Sequence, residues 1–404
     1  MIDFSTLQGL SIPEGVVTQI ADASGRVLWA LDTGGKVILE VEKITSNTYA
    51  GETTYTGEQF ILLNIYPKTN GTVKVTYGGL TKTITDTSGA EEPNAQQVFF
   101  GTFNGVSDSV ETPSSGELTI EGDCKAFACG TFATSAKSSN TSSYTGITSV
   151  TDWGSVSNIP EKAFAQCTGL TSVTIPGKKI DRICDVAFVS CTSLISATIS
   201  EGVKYLNSEI NSEINIKQGP FSGCTSLTYV YIPASVVSMN RSTFNKCSAL
   251  ANIVVADGNA YFSSNGSILF NKAKTELLSY PTASGTYTIP DSVTSIGSYA
   301  FSSCTGLMSV IIPDSVTSIS WMSFGDCTGL TSVTIPANVT SIANQAFFGC
   351  TGLTSVSFAN TSGWYVTETK GGDASTGTAV DVSDSANNAT LITDTYRTYY
   401  WYRS

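Results

Sequence analysis

The chain has 404 residues, with 21 Lys plus Arg against 33 Asp plus Glu, ten cysteines and no histidine. A formal charge of −12 disfavours nucleic acid and anionic membrane surfaces as partners, because both would repel the chain. The missing histidine excludes Ser-His-Asp and Cys-His catalytic arrangements, and 54 serines with 54 threonines give a polar, weakly charged surface typical of extracellular β-proteins.

The N-terminal part of the chain differs in composition from the rest and begins with a leader segment, residues 1–29. After the leader come six short β-rich runs separated by turn residues, at residues 37–44, 59–66, 72–77, 81–85, 97–100 and 117–120. Runs of this length with Gly-containing turns between them predict a small antiparallel β-sandwich of the immunoglobulin-like kind at residues 30–121.

Residues 10–20 and 25–29 of the leader resemble the leaders of structural proteins in phages of gut Firmicutes. No Lys or Arg precedes Arg26, so we expect no secretory signal at this end of the sequence. No apolar run approaches the ~18 residues of a membrane-spanning helix, so we expect no membrane insertion. The phage resemblance implies an alternative route out of the cell, in which a virion carries the protein and lysis releases it.

Seven cysteines mark an internal repeat. Successive members are 24, 33, 23, 57, 23 and 23 residues apart, and the last two spacings enclose nearly identical units. In the last unit Leu330, Val333 and Ile335 have the spacing of a β-strand, which Pro336 ends because it lacks a ladder donor. A unit this short cannot bury its apolar face alone, so the units must stack. The ladder cysteines are Cys167, Cys191, Cys224, Cys247, Cys304, Cys327 and Cys350.

The two long spacings indicate insertions in the stack. The first adds ten residues around Asn207, and the second adds 34 residues between Cys247 and Cys304. Within the second, residues 267–270 and 276–280 flank a five-residue connection, which predicts a hairpin near residues 259–281. We expect this hairpin to project from one edge without breaking the stack, and a binding role for it is the alternative.

Residues 289–307, IPDSVTSIGSYAFSSCTGL, and the two units after them resemble the BspA-like, treponemal-type leucine-rich repeat family. Residues 363–367, 381–384 and 391–401 are similar to the C-terminal caps of its gut-bacterial members. The resemblance implies a mainly β fold, with a right-handed leucine-rich repeat solenoid of about 23-residue rungs. We expect the solenoid and its N-terminal cap at residues 122–358, after the β-sandwich, and the C-terminal cap at residues 359–404.

Members of this family are typically surface or secreted proteins, and several are adhesins for host proteins or other cells. The resemblance therefore implies a non-enzymatic recognition protein, outside the cell or on its surface, that binds a host or bacterial surface protein or glycan. It brings no catalytic residue and no cofactor, and we expect a monomer. The alternatives are a host-binding component of a phage or prophage tail, and a glycan-active solenoid enzyme.

The phased cysteines admit more than one interpretation. Stacked rungs are about 4.8 Å apart, so equivalent cysteines could pair as disulfides. The cysteine position of a leucine-rich repeat normally faces inward, however, and we predict buried free thiols that act as small hydrophobes. No Cys-x2-Cys pair completes a tetrahedral site, so we predict no metal. Cys184 lies off the ladder, and for Cys124 and Cys129 a disulfide or a degenerate capping rung both stay open.

Paired carboxylates are the remaining signal for an enzyme, because a retaining glycosidase needs two of them about 5.5 Å apart in a cleft. The nearest sequence pairs are Asp181 with Asp185 and Asp381 with Asp384. Both pairs lie in polar stretches, and we interpret them as solvated surface residues. The sequence therefore predicts no catalytic residue.

The strand positions that face away from the core predict the binding surface. Most of them are Ser or Thr, but Tyr229 and Tyr231 add aromatic area with a polar tip, which is typical of interface anchors. Together with Asn252 and Ile311 they are the predicted ligand-binding residues. The alternative is that the two tyrosines cover a neighbouring loop, such as the insertion around Asn207.

Overall fold

The computed structural model describes residues 158–208 and 218–404, together with eleven strands that lie before them in the chain. These strands form a five-stranded sheet in the order β11-β3-β9-β5-β6, a four-stranded sheet in the order β10-β4-β7-β8, and the pair β1-β2. Their bounds are β1 Gln19–Ala21, β2 Val27–Ala30, β3 Val37–Glu42, β4 Phe60–Pro67, β5 Thr72–Tyr77, β6 Leu80–Thr85, β7 Gln96–Phe103, β8 Val106–Ser107, β9 Ser115–Gly122, β10 Cys124–Cys129 and β11 Ile147–Trp153.

The five-stranded sheet buries one face, because alternate residues of a strand point to opposite sides. In β5, Val73, Val75 and Tyr77 are buried, while Lys74 between them is exposed. An immunoglobulin-like packing of the two sheets stays a prediction, and residues 1–18 of the leader lie outside the described part of the chain.

Strands β10 and β11 belong to these sheets, although the sequence grouped both segments with the repeat array. β10 pairs antiparallel with β4, and β11 pairs antiparallel with β3. Cys124 and Cys129 are the two end residues of β10, which pairs with β4 and not with a rung of the array. The disulfide between them that the sequence left open stays a prediction.

The first part of the array, residues 158–208 and 218–255, is called the N-terminal half here. Each rung contributes a long and a short strand, and the two kinds form separate parallel sheets, β13-β15-β17-β19 and β12-β14-β16-β18. The strands are β12 Asn158–Ile159, β13 Ser172–Ile175, β14 Arg182–Ile183, β15 Ser196–Ile199, β16 Tyr205–Leu206, β17 Tyr229–Ile232, β18 Ser238–Met239 and β19 Asn252–Val255.

The insertion between Cys247 and Cys304 forms three antiparallel strands, β20 Phe262–Asn265, β21 Ile268–Asn271 and β22 Glu276–Ser279. It does not project from the stack, as the sequence analysis expected, because both of its faces are apolar and buried. Leu269 and Leu278 pack into the core of the N-terminal half, whereas Phe270 and Leu277 pack into the core beyond it. Both parallel sheets of the N-terminal half end at this insertion.

Beyond the insertion, residues 285–358 form the C-terminal half of the array. Its long strands pair parallel in the order β23-β25-β27-β29, and its short strands continue from β22 through β24, β26 and β28. The strands are β23 Gly285–Thr288, β24 Ser295–Ile296, β25 Leu307–Ile311, β26 Ser318–Ile319, β27 Ser332–Ile335, β28 Ser341–Ile342 and β29 Ser355–Phe358.

Two ladders of identical side chains run through the cores of both halves. Phe301, Phe324 and Phe347 stack face to face with ring centroids 5.1 Å apart. Before the insertion, Phe164, Phe188, Phe221 and Phe244 stack with centroids 5.1–6.3 Å apart. Six of the ladder thiols donate a hydrogen bond to the aromatic residue of the preceding rung, for example Cys327 Sγ to the carbonyl of Phe301 at 3.0 Å. Each of these carbonyls also accepts a backbone N–H from its own rung, for example Cys304 N–H to Phe301 at 3.1 Å, so the thiol adds a second hydrogen bond that connects neighbouring rungs.

The chain beyond the array covers the last rung. It contains β30 Trp364–Thr367, β31 Thr378–Ala379, helix α1 Ser385–Thr390, a π-helical turn at Leu391–Thr395 and β32 Tyr400–Arg403. β32 pairs antiparallel with β28, and Trp401 stacks near Phe358 with ring centroids 6.2 Å apart. The exposed edge that a parallel stack would otherwise present is thereby closed.

Candidate binding surface

The long strands expose one face of the N-terminal half to solvent. In each strand the second and fourth positions point inward, so the first and third positions point outward. The parallel register places Tyr229 beside Asn252 and Tyr231 beside Val254. Three of the four predicted ligand-binding residues are therefore neighbours on adjacent strands.

Apolar area is concentrated around these neighbours. Tyr229 is 40% exposed, Val254 is 38% exposed and Tyr231 is half-buried. Ile195, 52% exposed, lies one rung earlier, where its carbonyl accepts a hydrogen bond from the N–H of Thr228. We call Ile195, Tyr229, Tyr231 and Val254 the tyrosine patch.

Ile311 does not join the tyrosine patch. It lies on β25 in the C-terminal half, in a different sheet, and the three-stranded insertion separates the two sheets along the chain. Ile311 is nevertheless 53% exposed and Met308, three residues earlier on the same strand, is 60% exposed. The predicted four-residue set is therefore two separate surface features.

Ile195 and Met308 escaped the sequence analysis because they lie just before the strand row that it considered. The residue after the rung leucine is Thr171, Thr331 or Thr354 in other rungs, and it is exposed there too. A large apolar residue at a position that is threonine in four of the seven rungs is a detectable signal. The insertion residue Tyr261, 52% exposed, has no periodic counterpart that would have revealed it.

The described part of the insertion around Asn207 does not cover Tyr229 and Tyr231. Asn207 follows the short strand β16, whereas Tyr229 and Tyr231 lie on the long strand β17 in the other sheet. Residues 209–217 of this insertion lie outside the described part of the chain. Tyr229 is exposed beside Asn252, so its side chain is accessible to a ligand.

The carboxylate pairs have structural roles. Asp185 is fully buried rather than solvated, because Asn240 Nδ2 donates to its carboxylate at 2.8 Å and its own N–H donates to Ser208 Oγ at 3.1 Å. Asp384 caps helix α1 by accepting from two backbone N–H groups. Hydrogen bonds from Ser383 lower the pKa of Asp381 below its ordinary value.

The surroundings of the ladder cysteines disfavour reactive thiols. All seven are buried, and no described cysteine forms a disulfide. Burial raises the pKa of Cys304 to about 12 and the pKa of Cys191, Cys224 and Cys247 above the ordinary value. A reactive thiol needs the opposite shift. Among the described residues, no group of three or more Cys, Asp or Glu side chains is placed to hold a metal ion.

The fold and its exposed face define a leucine-rich repeat solenoid of about 23-residue rungs. The family model of the BspA type leucine-rich repeat region matches the chain in six copies, over residues 133–218, 208–284 and 280–368. These ranges cover more than half of the chain, and the chain belongs to this family. The family model does not extend to the leader, whose resemblance to phage structural proteins stays a prediction.

Several bacterial proteins of known structure are similar to this chain. A leucine-rich repeat protein from Eubacterium ventriosum is 24% identical with a TM-score of 0.41, over 50% of this chain and 57% of that chain. The pneumococcal vaccine antigen PcpA is 18% identical with a TM-score of 0.34, over 51% and 68%. A leucine-rich cell surface protein from Faecalibacterium prausnitzii is 22% identical with a TM-score of 0.32, over 51% and 78%.

The aligned part thus spans little more than half of the Eubacterium protein. No curated protein has a matching sequence. None of the helices among the described residues is long and apolar enough to cross a membrane.

Proposed function

We propose that this protein is a non-enzymatic recognition protein that acts outside the cell or on its surface. In this proposal the tyrosine patch binds a protein or glycan on a host or bacterial surface. The observation that carries the proposal is the register of β17 and β19, which sets two tyrosines beside Asn252 and Val254 on an exposed face. Membership in the BspA-type family supports the class of function, since adhesins are known among its members.

The composition of the patch suits recognition. Tyrosine supplies a large contact area with a polar tip and loses little rotamer freedom on binding, so it is enriched among residues that dominate binding energy. The surrounding strand positions, such as Ser172, Thr174 and Thr198, carry short hydroxyl groups. Short hydroxylated residues provide adaptable hydrogen bonds around an aromatic anchor, as they do in antibody binding sites.

The arrangement of polar groups favours binding over catalysis. The outward positions of the long strands bear no carboxylate, lysine or arginine. Among the carboxylates that sequence spacing singled out, Asp185 and Asp384 are held in hydrogen bonds that build the fold. A surface of hydroxyl, amide and aromatic groups has no acid or base placed for bond cleavage.

A cell-adhesion assay with the full chain tests the proposal. Beads coated with the protein are incubated with intestinal epithelial cells and with gut bacteria, either untreated, protease-treated or periodate-treated, which separates protein from glycan partners. The test variant is Tyr229→Ala/Tyr231→Ala. The matched control is Ser332→Ala/Thr334→Ala, at the same outward positions of β27 in the C-terminal half.

We expect the tyrosine variant to reduce adhesion by at least about tenfold, because two anchor residues are lost. Its thermal stability should stay close to that of the parent chain, since exposed substitutions usually cost little. The control variant should adhere like the parent. Equal adhesion of the tyrosine variant and the parent would disprove the patch as the binding surface, and turnover of a surface glycan by the parent chain would disprove the non-enzymatic role.

A further inference from the structure

The ladder of short strands is open at β18. Several short strands of the array receive hydrogen bonds from the next rung on two carbonyls that lie two residues apart. Lys204 and Leu206 accept from Val237 and Asn240, each at 2.9 Å. At β22 of the insertion, Thr275 and Leu277 accept from Thr294 at 2.7 Å and Gly297 at 2.8 Å. The next short strand after β18 would use the carbonyls of Val237 and Met239.

No next strand pairs with β18, because the insertion begins there. β18 is the last strand of its sheet, and β22 pairs with β21 and β24 instead. Within the part of the chain that the structure describes, no donor bonds the carbonyl of Val237 or Met239. Two backbone acceptors, spaced like those of Lys204 and Leu206, are therefore unused by the described residues at this edge, and unused edge groups are a template for another strand.

The apolar side chain at the open edge is only partly covered. The inward position of the short strand is buried in the rungs on both sides, at Leu206 and Leu277. Its counterpart Met239 is only half-buried. The missing neighbour thus leaves both the hydrogen bonds and the apolar contacts of one rung incomplete.

A cleft of about 380 Å³ occupies this gap. One wall is residues 237–241, and the other is the insertion, with apolar side chains that include Phe262 and Leu278. Arg241 and Glu276 form an ion pair of 2.9 Å that joins the two walls. Because these opposite charges neutralise each other, the cleft favours an uncharged occupant with apolar side chains.

From this geometry we infer a second binding site, separate from the tyrosine patch: the cleft at β18 binds an extended, uncharged peptide segment of a partner protein. Two main-chain N–H groups of the peptide donate to the carbonyls of Val237 and Met239, which adds a strand to the open sheet edge. Its apolar side chains pack against Met239 and the insertion. The array itself shows which side chains a strand at such an edge buries. In the rung that follows β22, Val293 and Ile296 are both fully buried.

The probe is a peptide with the sequence of residues 292–298, SVTSIGS, with a fluorophore at its N-terminus and an amide at its C-terminus, measured by anisotropy with the full chain. Within the array the N–H groups of Thr294 and Gly297 donate to the preceding rung. N-methylation of the peptide at these two positions removes both donors without changing a side chain. N-methylation at the Ile296 position is the matched control, because neighbouring N–H groups of a strand point to opposite sides.

We expect saturable binding of the unmodified peptide and of the Ile296-methylated control, and at least about tenfold weaker binding of the doubly methylated peptide, since two hydrogen bonds are lost. Tyr261→Ala, in the wall of the cleft, should weaken binding, whereas Tyr229→Ala should not. No saturable binding at millimolar peptide, or equal binding of all three peptides, would overturn the inference. Weakening by Tyr229→Ala alone would place the peptide on the tyrosine patch, which would also overturn it.

Discussion

The two halves of the array use the same core and differ at the surface. Both contain the phenylalanine ladder and the cysteine ladder. The C-terminal half keeps a spacing of 23 residues between its ladder cysteines, whereas the N-terminal half has spacings of 24, 33 and 23. The tyrosine patch and the open edge at β18 both lie in the less regular half. Departures from the repeat therefore coincide with the features that can bind a partner.

The regular spacing of the C-terminal half allows side-chain hydrogen bonds between successive rungs. Thr294, Thr317 and Thr340 occupy one position of successive rungs, and each hydroxyl donates to the carbonyl of the threonine one rung earlier, at 3.2–3.3 Å. The corresponding residues of the N-terminal half are Lys204 and Val237, whose side chains have no hydroxyl. The less regular N-terminal half therefore lacks this part of the hydrogen bonding between rungs.

The insertion separates the cores of the two halves and contacts both. Its strand β22 presents Leu278 to one core and Leu277 to the other. Because stacked rungs interact mainly with their neighbours, damage in one half should remain in that half.

The largest effect is expected from removing one ring of the phenylalanine ladder. Phe324→Ala should cost about 3–5 kcal/mol, because it removes a buried ring that stacks on both sides and leaves a cavity. The loss should concentrate in the C-terminal half. Phe188→Ala, equivalent in the N-terminal half, should have the converse effect. Protease cleavage sites mapped by mass spectrometry measure which half opens, and opening of both halves by either variant would refute the separation.

Substitution of the two adjacent leucines of β22 also compares the two halves of the array. Leu277→Ala and Leu278→Ala should each cost about 2–4 kcal/mol, since both side chains are buried. Leu277→Ala should loosen the C-terminal half and Leu278→Ala the N-terminal half, because the two side chains enter different cores. Limited proteolysis of the two variants distinguishes the halves, and identical cleavage patterns would contradict the two-faced packing of β22.

Alkaline pH should destabilise both halves. Burial raises the pKa of Cys304 to about 12, whereas a thiol of the unfolded chain titrates near ~8.5. The contribution of each buried thiol to the free energy of unfolding is fully present below the pKa of that thiol in the unfolded chain. It falls by about 1.4 kcal/mol per pH unit as the pH rises toward the pKa in the folded chain. Urea unfolding between pH 8 and 10 measures the slope. Cys304→Ala should make the slope shallower, and an unchanged slope in that variant would be evidence against a buried thiol.

The smallest effect is expected for the threonine ladder of the C-terminal half. Thr317→Val keeps the shape of the side chain and removes one exposed hydrogen bond, so it should cost about 0.5 kcal/mol. Thr317→Ser, which keeps the hydroxyl, is the matched control. Urea unfolding of both variants provides the comparison, and a Val variant more stable than the Ser variant would show that the ladder does not stabilise the rungs.

The repeat could be predicted from the sequence because its signal is periodic. Leu330 and Cys327 recur at fixed spacing, and fixed spacing determines which side chains face inward. The outward direction of Tyr229 and Tyr231 follows from the same phase. Their role as ligand contacts stays a prediction.

Non-periodic features could not be predicted in the same way. The burial of Asp185 depends on Ser208 and Asn240, which approach it only after the chain has completed further rungs. The packing of the insertion depends on two apolar faces, and a hairpin sequence does not reveal how many of its faces will be covered. Ile311 appeared to continue the row of Tyr231 because the cysteine spacing reveals the insertion between them but not that the sheet of long strands ends there.

Native-state hydrogen exchange tests the central claim, that the array consists of two units of unequal regularity joined by the insertion. Exchange of the full chain is followed by mass spectrometry at increasing, sub-denaturing urea, for peptides from residues 158–208 and 285–358. We expect two distinct free energies of opening, with the higher value in the C-terminal half, where spacing is regular and threonine hydrogen bonds connect the rungs. One common free energy of opening for all these peptides would contradict the account.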